Sequence, residues 1–256
     1  MCGTGKLVKT HAIVLYSFKY SEADLILTLL GRDTGKINAI AKGARKPKSN
    51  MRGTVQQFNY GNYLLYKGKS LYTITQCETI EPFAFLRSDL SKYAYASYIV
   101  ELAKEAVAEE HVDALEFYLL LAALQLAVEN ERLAARFFDI KLLNLAGYYP
   151  QLKHCLGCEA KISDQKEIFF YGKAGGVYCR ECSTNQFSAN SLFCVERSVL
   201  SLFNSFLEND FNLIKRIKIN HMDYSKLETI VSRYWECILD KELKSINFIK
   251  NLRDFV

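Results

Sequence analysis

Four cysteines in this chain are spaced for metal chemistry: Cys155-Leu-Gly-Cys158, then twenty residues, then Cys179-Arg-Glu-Cys182. In a CxxC knuckle the backbone turns so that both thiolates reach one ion, and two knuckles complete the closed tetrahedron of a structural Zn²⁺ site. The interval lies at the upper edge of the roughly 15 to 20 residues usual between such pairs. A catalytic zinc keeps one position open for water, and four cysteines leave none. The reading is one structural Zn²⁺ held by Cys155, Cys158, Cys179 and Cys182; a thioredoxin-like redox pair and unligated or disulfide-bonded cysteines are the alternatives. A redox pair needs one CxxC between a strand and a helix of a βαβ unit, whereas two pairs here flank a short hairpin region. His154 adjoins Cys155 and, beside a complete cysteine set, reads as a solvated side chain.

A second cluster is Lys42-Gly-Ala-Arg-Lys-Pro-Lys-Ser-Asn-Met-Arg52, with five positive charges and no negative one. Lys42, Arg45, Lys46, Lys48 and Arg52 in a loop with Gly43 and Pro47 can follow a phosphate backbone without demanding a fixed sequence. Aromatic residues that can stack on bases lie nearby: Tyr16, Phe18, Tyr20, Phe58, Tyr60, Tyr63 and Tyr66. By strand alternation about half of them belong to a core. Residues 1–80 carry twelve Lys and Arg against four Asp and Glu, so this segment is +8 and the remainder −3 of the total of +5. A polyanion partner for the N-terminal part explains that asymmetry, and a solubilising basic face is the bland alternative.

The elements that must position these groups are legible in outline. Short apolar runs at Ala12–Phe18, Leu25–Leu30, Lys36–Ala41, Tyr60–Tyr66 and Leu71–Cys77, separated by turn signals that include the glycine-bearing loops Gly31–Gly35 and Lys67-Gly-Lys69, predict a five-stranded barrel. The long basic connection between the third and fourth runs suits an OB fold, although an SH3-like barrel gives nearly the same pattern. After Pro82 the segments Ser91–Ala108, Asp113–Glu129 and Leu133–Ala146 have helical length and composition, with Ser91 and Asp113 as N-caps and Gly147 as terminator. Strand-like runs Glu167–Tyr171 and Gly176–Tyr178 lie inside the cysteine insert, and helices return at Glu196–Leu207, Tyr224–Leu239 and Lys241–Lys250. The expected class is α+β multidomain: an N-terminal OB-fold β-barrel that binds DNA over 1–80, an α-helical bundle domain over 81–150 and 188–256, and an embedded four-cysteine zinc finger over 151–187. Cys77, Cys194 and Cys237 read as small core residues.

Several classes are disfavoured. No apolar run approaches the roughly 20 residues that span a bilayer, since Phe117 to Val128 is broken by Gln125. The N-terminus lacks a signal-peptide core, so a cytoplasmic protein is expected. Gly3-Thr-Gly-Lys6 lacks the first glycine and the Ser/Thr of a phosphate-binding loop. The histidines at 11, 111, 154 and 221 are scattered, and no catalytic constellation presents itself.

Strand one followed by Tyr20-Ser-Glu-Ala-Asp24, Gly35-Lys36 and Ala41-Lys-Gly-Ala-Arg-Lys-Pro-Lys-Ser49 resembles the N-terminal pattern of the bacterial RecO family. Leu142-Leu-Asn-Leu-Ala-Gly-Tyr-Tyr-Pro150 running into the Cys155/Cys158 knuckle is similar to the helix-to-zinc-finger passage of zinc-bearing members. The resemblance covers nearly the whole chain. It implies a non-enzymatic, nucleoid-associated recombination mediator that binds single- and double-stranded DNA and anneals strands coated by single-stranded DNA-binding protein (SSB). With RecR, such a mediator helps load RecA. It also implies an SSB-tail pocket in the helical domain, with Arg132, Arg136, Lys141 and Lys153 as candidates by residue type. A DNA-processing metal-dependent nuclease and a zinc-stabilised protein-interaction adaptor are the competing classes.

Overall fold

The computed structural model describes residues 6–186, 192–217 and 220–254. Cys2, the start of the Gly3-Thr-Gly-Lys6 stretch and the expected 187/188 boundary lie outside them. The chain packs as two units, one of Met1–Phe138 with Leu243–Val256 and the other of Asp139–Glu242.

The first unit is built on a closed barrel of β1 (Leu7–Lys19), β2 (Leu25–Gly31), β3 (Gly35–Ala41), β4 (Tyr60–Lys67) and β5 (Tyr72–Glu81) in the order β1-β2-β3-β5-β4. β1, β2 and β3 form an antiparallel meander, because Gly35 at φ +66° closes the β2–β3 turn with Gly31 opposite it. β5 inserts between β3 and β4 and runs parallel to β3. That crossing makes a Greek key, so the fold is the OB barrel expected. Inward side chains alternate along the strands, Leu27 and Leu29 on β2, Ile37, Ala39 and Ala41 on β3, and form one core with Ala12, Val14, Tyr63, Leu65 and Ile74. Small alanines on β3 lie opposite larger leucines on β2, Ala39 beside Leu27 and Ala41 beside Leu25, so small and large side chains alternate across the barrel. Tyr63 is buried yet satisfied: its hydroxyl donates to the Thr54 carbonyl at 2.9 Å, and the Asn59 amide donates to it at 3.3 Å. Burial pushes the Tyr63 phenol above its ordinary pKa.

Three helices and a short turn complete this unit. After α1 (Phe85–Ser88) comes α2 (Leu90–Ala106), whose buried stripe contains Tyr95, Tyr98, Ile99 and Leu102. The cap of α2 is Asp89, not Ser91: the Asp89 carboxylate accepts the Lys92 N–H at 2.9 Å, and the Ser91 hydroxyl donates to Glu131 instead. The carboxylate wins because it sits three residues before the N–H it must satisfy. Asp113 behaves as expected, accepting from the Leu115 N–H at 2.8 Å at the start of α3 (Ala114–Leu145). The two helices expected on either side of residues 130–132 are joined in α3 by a kink at Asn130 (φ −149°, ψ 92°), whose side chain caps the second half through Leu133 N–H.

In the second unit β6 (Ile168–Tyr171) and β7 (Gly176–Cys179) form a hairpin, with α4 (Arg180–Gln186) following and β8 (Phe193–Cys194) pairing the other side of β6. α5 (Arg197–Glu208), α6 (Phe211–Ile214) and α7 (His221–Leu239) follow, with α5 packed on α7. The last helix, α8 (Lys244–Asp254), belongs to the first unit, where the Glu101 carboxylate of α2 accepts the Lys244 and Ser245 N–H groups at 3.1 and 2.9 Å. An acid at a helix N-terminus satisfies orphan donors and complements the helix dipole. Cys77 is half-buried, but Cys194 and Cys237 are exposed rather than core. Their apolar sequence neighbours face inward while the thiols do not, because adjacent positions on a strand or helix point in different directions. Among the described residues no helix is long and apolar enough to cross a membrane.

Candidate metal centre and nucleic-acid interface

The metal centre is assembled entirely within the second unit. Cys155 opens a tight reversal: its N–H donates to the Ala160 carbonyl, and the Glu159 N–H returns to the Cys155 carbonyl, both at 2.9 Å. Glu159 takes φ +60° to close that turn. Cys179 ends β7 and Cys182 lies in the first turn of α4, so a strand-to-helix corner presents the second pair. The four sulfurs lie within 4.8 Å of one another, with Cys158 and Cys179 at 3.8 Å. A tetrahedron with metal–sulfur bonds of ~2.3 Å has edges of ~3.8 Å, so the geometry fits a zinc-sized ion.

The backbone is shaped to this cluster. The Gly157 and Cys179 N–H groups donate to the Cys155 sulfur at 3.4 and 3.3 Å. A Cβ on Gly157 would meet the Cys182 sulfur at 2.9 Å, so a side chain there would displace the fourth thiol. Burial opposes ionisation of Cys155, but the N–H groups of Cys179, Cys158 and Gly157 outweigh it and bring the thiol down to about 6. The neighbouring Cys179 thiol, then burial, push Cys182 up to about 12. The site thus favours the Cys155 thiolate and holds Cys179 and Cys182 towards the thiol in the absence of a cation, so a bound cation would have to draw off their protons. His154 is exposed and stands outside the four-sulfur group.

The basic loop lies in the first unit between β3 and β4. It is a chain of turns, in which Lys46, Ser49 and Arg52 N–H groups donate to the carbonyls of Gly43, Lys46 and Ser49. Ala44 and Val55 are buried in the barrel core and pin it at both ends. Lys42, Arg45, Lys46, Lys48 and Arg52 are all exposed. The β1–β2 turn braces the loop: the Gly43 N–H donates to Asp24 at 2.7 Å, the Arg45 N–H to the Ala23 carbonyl at 3.0 Å, and the Arg45 guanidinium to the Ser21 carbonyl at 2.6 Å. Chiefly the Gly43 N–H, against some burial and with help from Ser21, Lys42 and Lys46, holds the Asp24 carboxyl below its ordinary value. A depressed carboxyl contributes stability above its unfolded value of ~3.9, lost as pH falls through the folded value. Asp24→Ala is expected to speed amide hydrogen exchange at Gly43 and Arg45 while leaving the β4–β5 ladder protected; unchanged exchange would show that the tether is idle.

The aromatic candidates separate cleanly. Phe58 and Tyr63 are core, Tyr60 is half-buried, and Tyr16, Phe18, Tyr20 and Tyr66 are exposed. Of the cations named by type for a peptide-tail pocket, Arg136 is only 1% exposed and lies against the Tyr98 ring, 5.5 Å from its centroid, so it is a core residue. Lys141 is committed to the Leu207 carbonyl at 2.8 Å. Sequence reasoning missed a cavity of about 420 Å³ in the second unit, with buried Leu152, Ile162 and Leu200 at its floor and Lys153, Lys161 and Arg197 at its rim. Lys153 was visible beforehand; the convergence with Lys161 and Arg197 was not, since they come from separate elements.

Two family models match this chain, Recombination protein O N terminal over residues 6–83 and Recombination protein O C terminal over residues 87–246. The DNA repair protein RecO of Moorella thermoacetica is 36% identical over 247 residues, covering 96% of this chain and 91% of that protein. That of Pelotomaculum thermopropionicum is 35% identical over 245 residues, covering 95% and 94%. That of a Thermoanaerobacter species is 34% identical over 253 residues, covering 97% and 99%.

Proposed function

This chain belongs to the RecO family of recombinational DNA repair proteins, and on that premise we propose that it binds single- and double-stranded DNA, anneals complementary single strands and, with RecR, helps load RecA on SSB-coated strands. The observation that carries the reading is the β3–β4 loop: five exposed cations without an acid, held in place by Ala44, Val55 and the Asp24 tether. A rigid basic surface gathers phosphates through counterion release and does not require a particular base sequence. Lys42, Arg45, Lys46, Lys48 and Arg52 are its DNA contacts.

Cys155, Cys158, Cys179 and Cys182 hold one structural Zn²⁺ that supports folding and does no chemistry. The all-thiol donor set supports this, since a hydrolytic Mg²⁺ centre uses carboxylate oxygens and a catalytic zinc an open position. The protein acts without catalysis, in the cytoplasm on the nucleoid. Its functional parts are a DNA-binding barrel over 1–80, a helical region over 81–150 and 188–256, and the zinc finger over 151–187.

The acidic, Phe-ended SSB tail fits the cavity beside the first knuckle, where an apolar floor can take the ring and Lys153, Lys161 and Arg197 the carboxylates. Lys161→Glu with Arg197→Glu is expected to abolish binding of a labelled tail peptide and to leave DNA affinity unchanged; a wild-type response to the peptide would place the tail elsewhere. The central test is fluorescence anisotropy with labelled single strands across a salt series, paired with a strand-annealing assay. Salt-independent binding or absent annealing would point to the adaptor class instead.

A further inference from the structure

Ala12 and Val14 of β1 belong to the barrel core, so strict alternation would also send Tyr16 and Phe18 inward. They face the other way. The β1–β2 register shifts between Val14, opposite Leu29, and Tyr16, opposite Thr28. Leu15 is therefore the extra residue of a β-bulge, and every side chain beyond it changes face. Ser17 now opposes the core residue Leu27, while Tyr16 and Phe18 stand 46% and 43% exposed outside the barrel.

The two rings lie 6.1 Å apart between centroids and 29° from parallel, and Lys104 Nζ sits 5.6 Å from the Tyr16 centroid. Tyr20, 61% exposed, continues the row into the β1–β2 turn, the same turn that takes Arg45 through Ser21 and Ala23. Lys104 is paired with Glu105 at 2.8 Å, but towards the β1–β2 turn the surroundings are cationic: Lys19 and the loop cations outnumber Glu22 and Asp24, and Asp24 is engaged with Gly43. An aromatic row leading to a basic loop is complementary to a strand whose phosphates and bases are both accessible.

We propose that Tyr16, Phe18 and Tyr20 form a stacking surface for unpaired bases, and that this surface, not the basic loop, makes the protein favour single-stranded over duplex DNA. The inference rests on the DNA-binding reading above. Phosphate contacts are available on either form and carry no information about pairing. Ring faces need a free base face, which a duplex hides in its own stack.

The test uses the full chain with Tyr16→Leu and Phe18→Leu combined, which keeps apolar volume on the strand, and measures anisotropy with labelled oligothymidine and with a duplex. Single-strand affinity is expected to fall about tenfold or more, as loss of base stacking does, while duplex affinity stays at the wild-type value. An unchanged ratio of the two affinities overturns the proposal, as does an equal fall on both. Wild-type protein that binds neither DNA would instead be a failure of the DNA-binding reading, and the proposal would fall with it. Should the double variant melt early, wild-type protein with a 2-aminopurine oligonucleotide decides: fluorescence quenching on binding supports stacking, and its absence overturns it. A variant that binds both DNAs normally but changes oligomeric state would assign the face to a second copy of the chain, again overturning the proposal.

Discussion

Wild-type protein is expected to hold about one zinc per chain, and Cys179→Ser to yield protein without bound zinc and with an unstable second unit. Cys179 is buried at the end of β7, 3.8 Å from the Cys158 sulfur, and its N–H supports the Cys155 sulfur. Serine is nearly isosteric, so little packing changes; what is lost is a soft thiolate from a set of four. Apparent zinc-binding energies of roughly 10–16 kcal/mol in small thiolate sites are folding energy as well, because no preformed site exists in the unfolded chain. The second unit has a small three-stranded sheet and few strands to hold the 155–182 segment without the ion. Elemental analysis and thermal melting check this, with Cys194→Ser and Cys237→Ser, both exposed and outside the cluster, as controls expected to stay within about 0.5 kcal/mol. Metal-free wild-type protein lighter by two protons per cysteine pair would replace the zinc reading by disulfides. Because protons compete for the thiolates, zinc retention is expected to weaken as pH falls.

Neutralising Arg45, Lys46 and Lys48 together is expected to weaken binding to every DNA sequence alike and to flatten the plot of log affinity against log salt. Each lost phosphate contact on a single strand removes roughly 0.7 from the slope, so three remove about 2. All three side chains are exposed, and their removal takes nothing from the barrel core, which is anchored in this loop by Ala44 and Val55. Arg45 carries one complication, since its guanidinium also holds the Ser21 carbonyl. Arg45→Lys with Lys46→Ala and Lys48→Ala separates the effects: if charge alone matters, about one contact's worth of slope returns. Circular dichroism confirms that the barrel folds. Wild-type affinity together with a wild-type salt slope would leave the loop a solvated turn and send the search for the DNA surface to the zinc finger or the helices.

What the sequence determined by itself is local. Alternating runs placed all five barrel strands, with ends extended by a few residues such as Leu7 and Glu81, because the period-two pattern is set by neighbours along one strand. Two CxxC pairs foretold a four-sulfur group because knuckle geometry needs only the residues between the cysteines. The charge density of residues 42–52 was equally visible, since Gly43 and Pro47 mark a loop wherever they occur.

The tertiary structure decided whatever depends on residues distant in sequence. OB and SH3-like barrels share strand patterns, and only the pairing of β5 with both β3 and β4 chose between them. At the start of α2 the Asp89 carboxylate takes the Lys92 N–H, three residues on, and the Ser91 hydroxyl, left inside the helix, donates to the distant Glu131. Arg136 looked like a surface cation, yet its helix turns it onto Tyr98, far away along the chain and unrelated by any local pattern. The sharpest case is Tyr16 and Phe18. Their spacing from Ala12 and Val14 points them into the core, and one extra residue at Leu15 turns them out. A bulge exists only in the register between two strands, so no pattern within β1 alone can announce it.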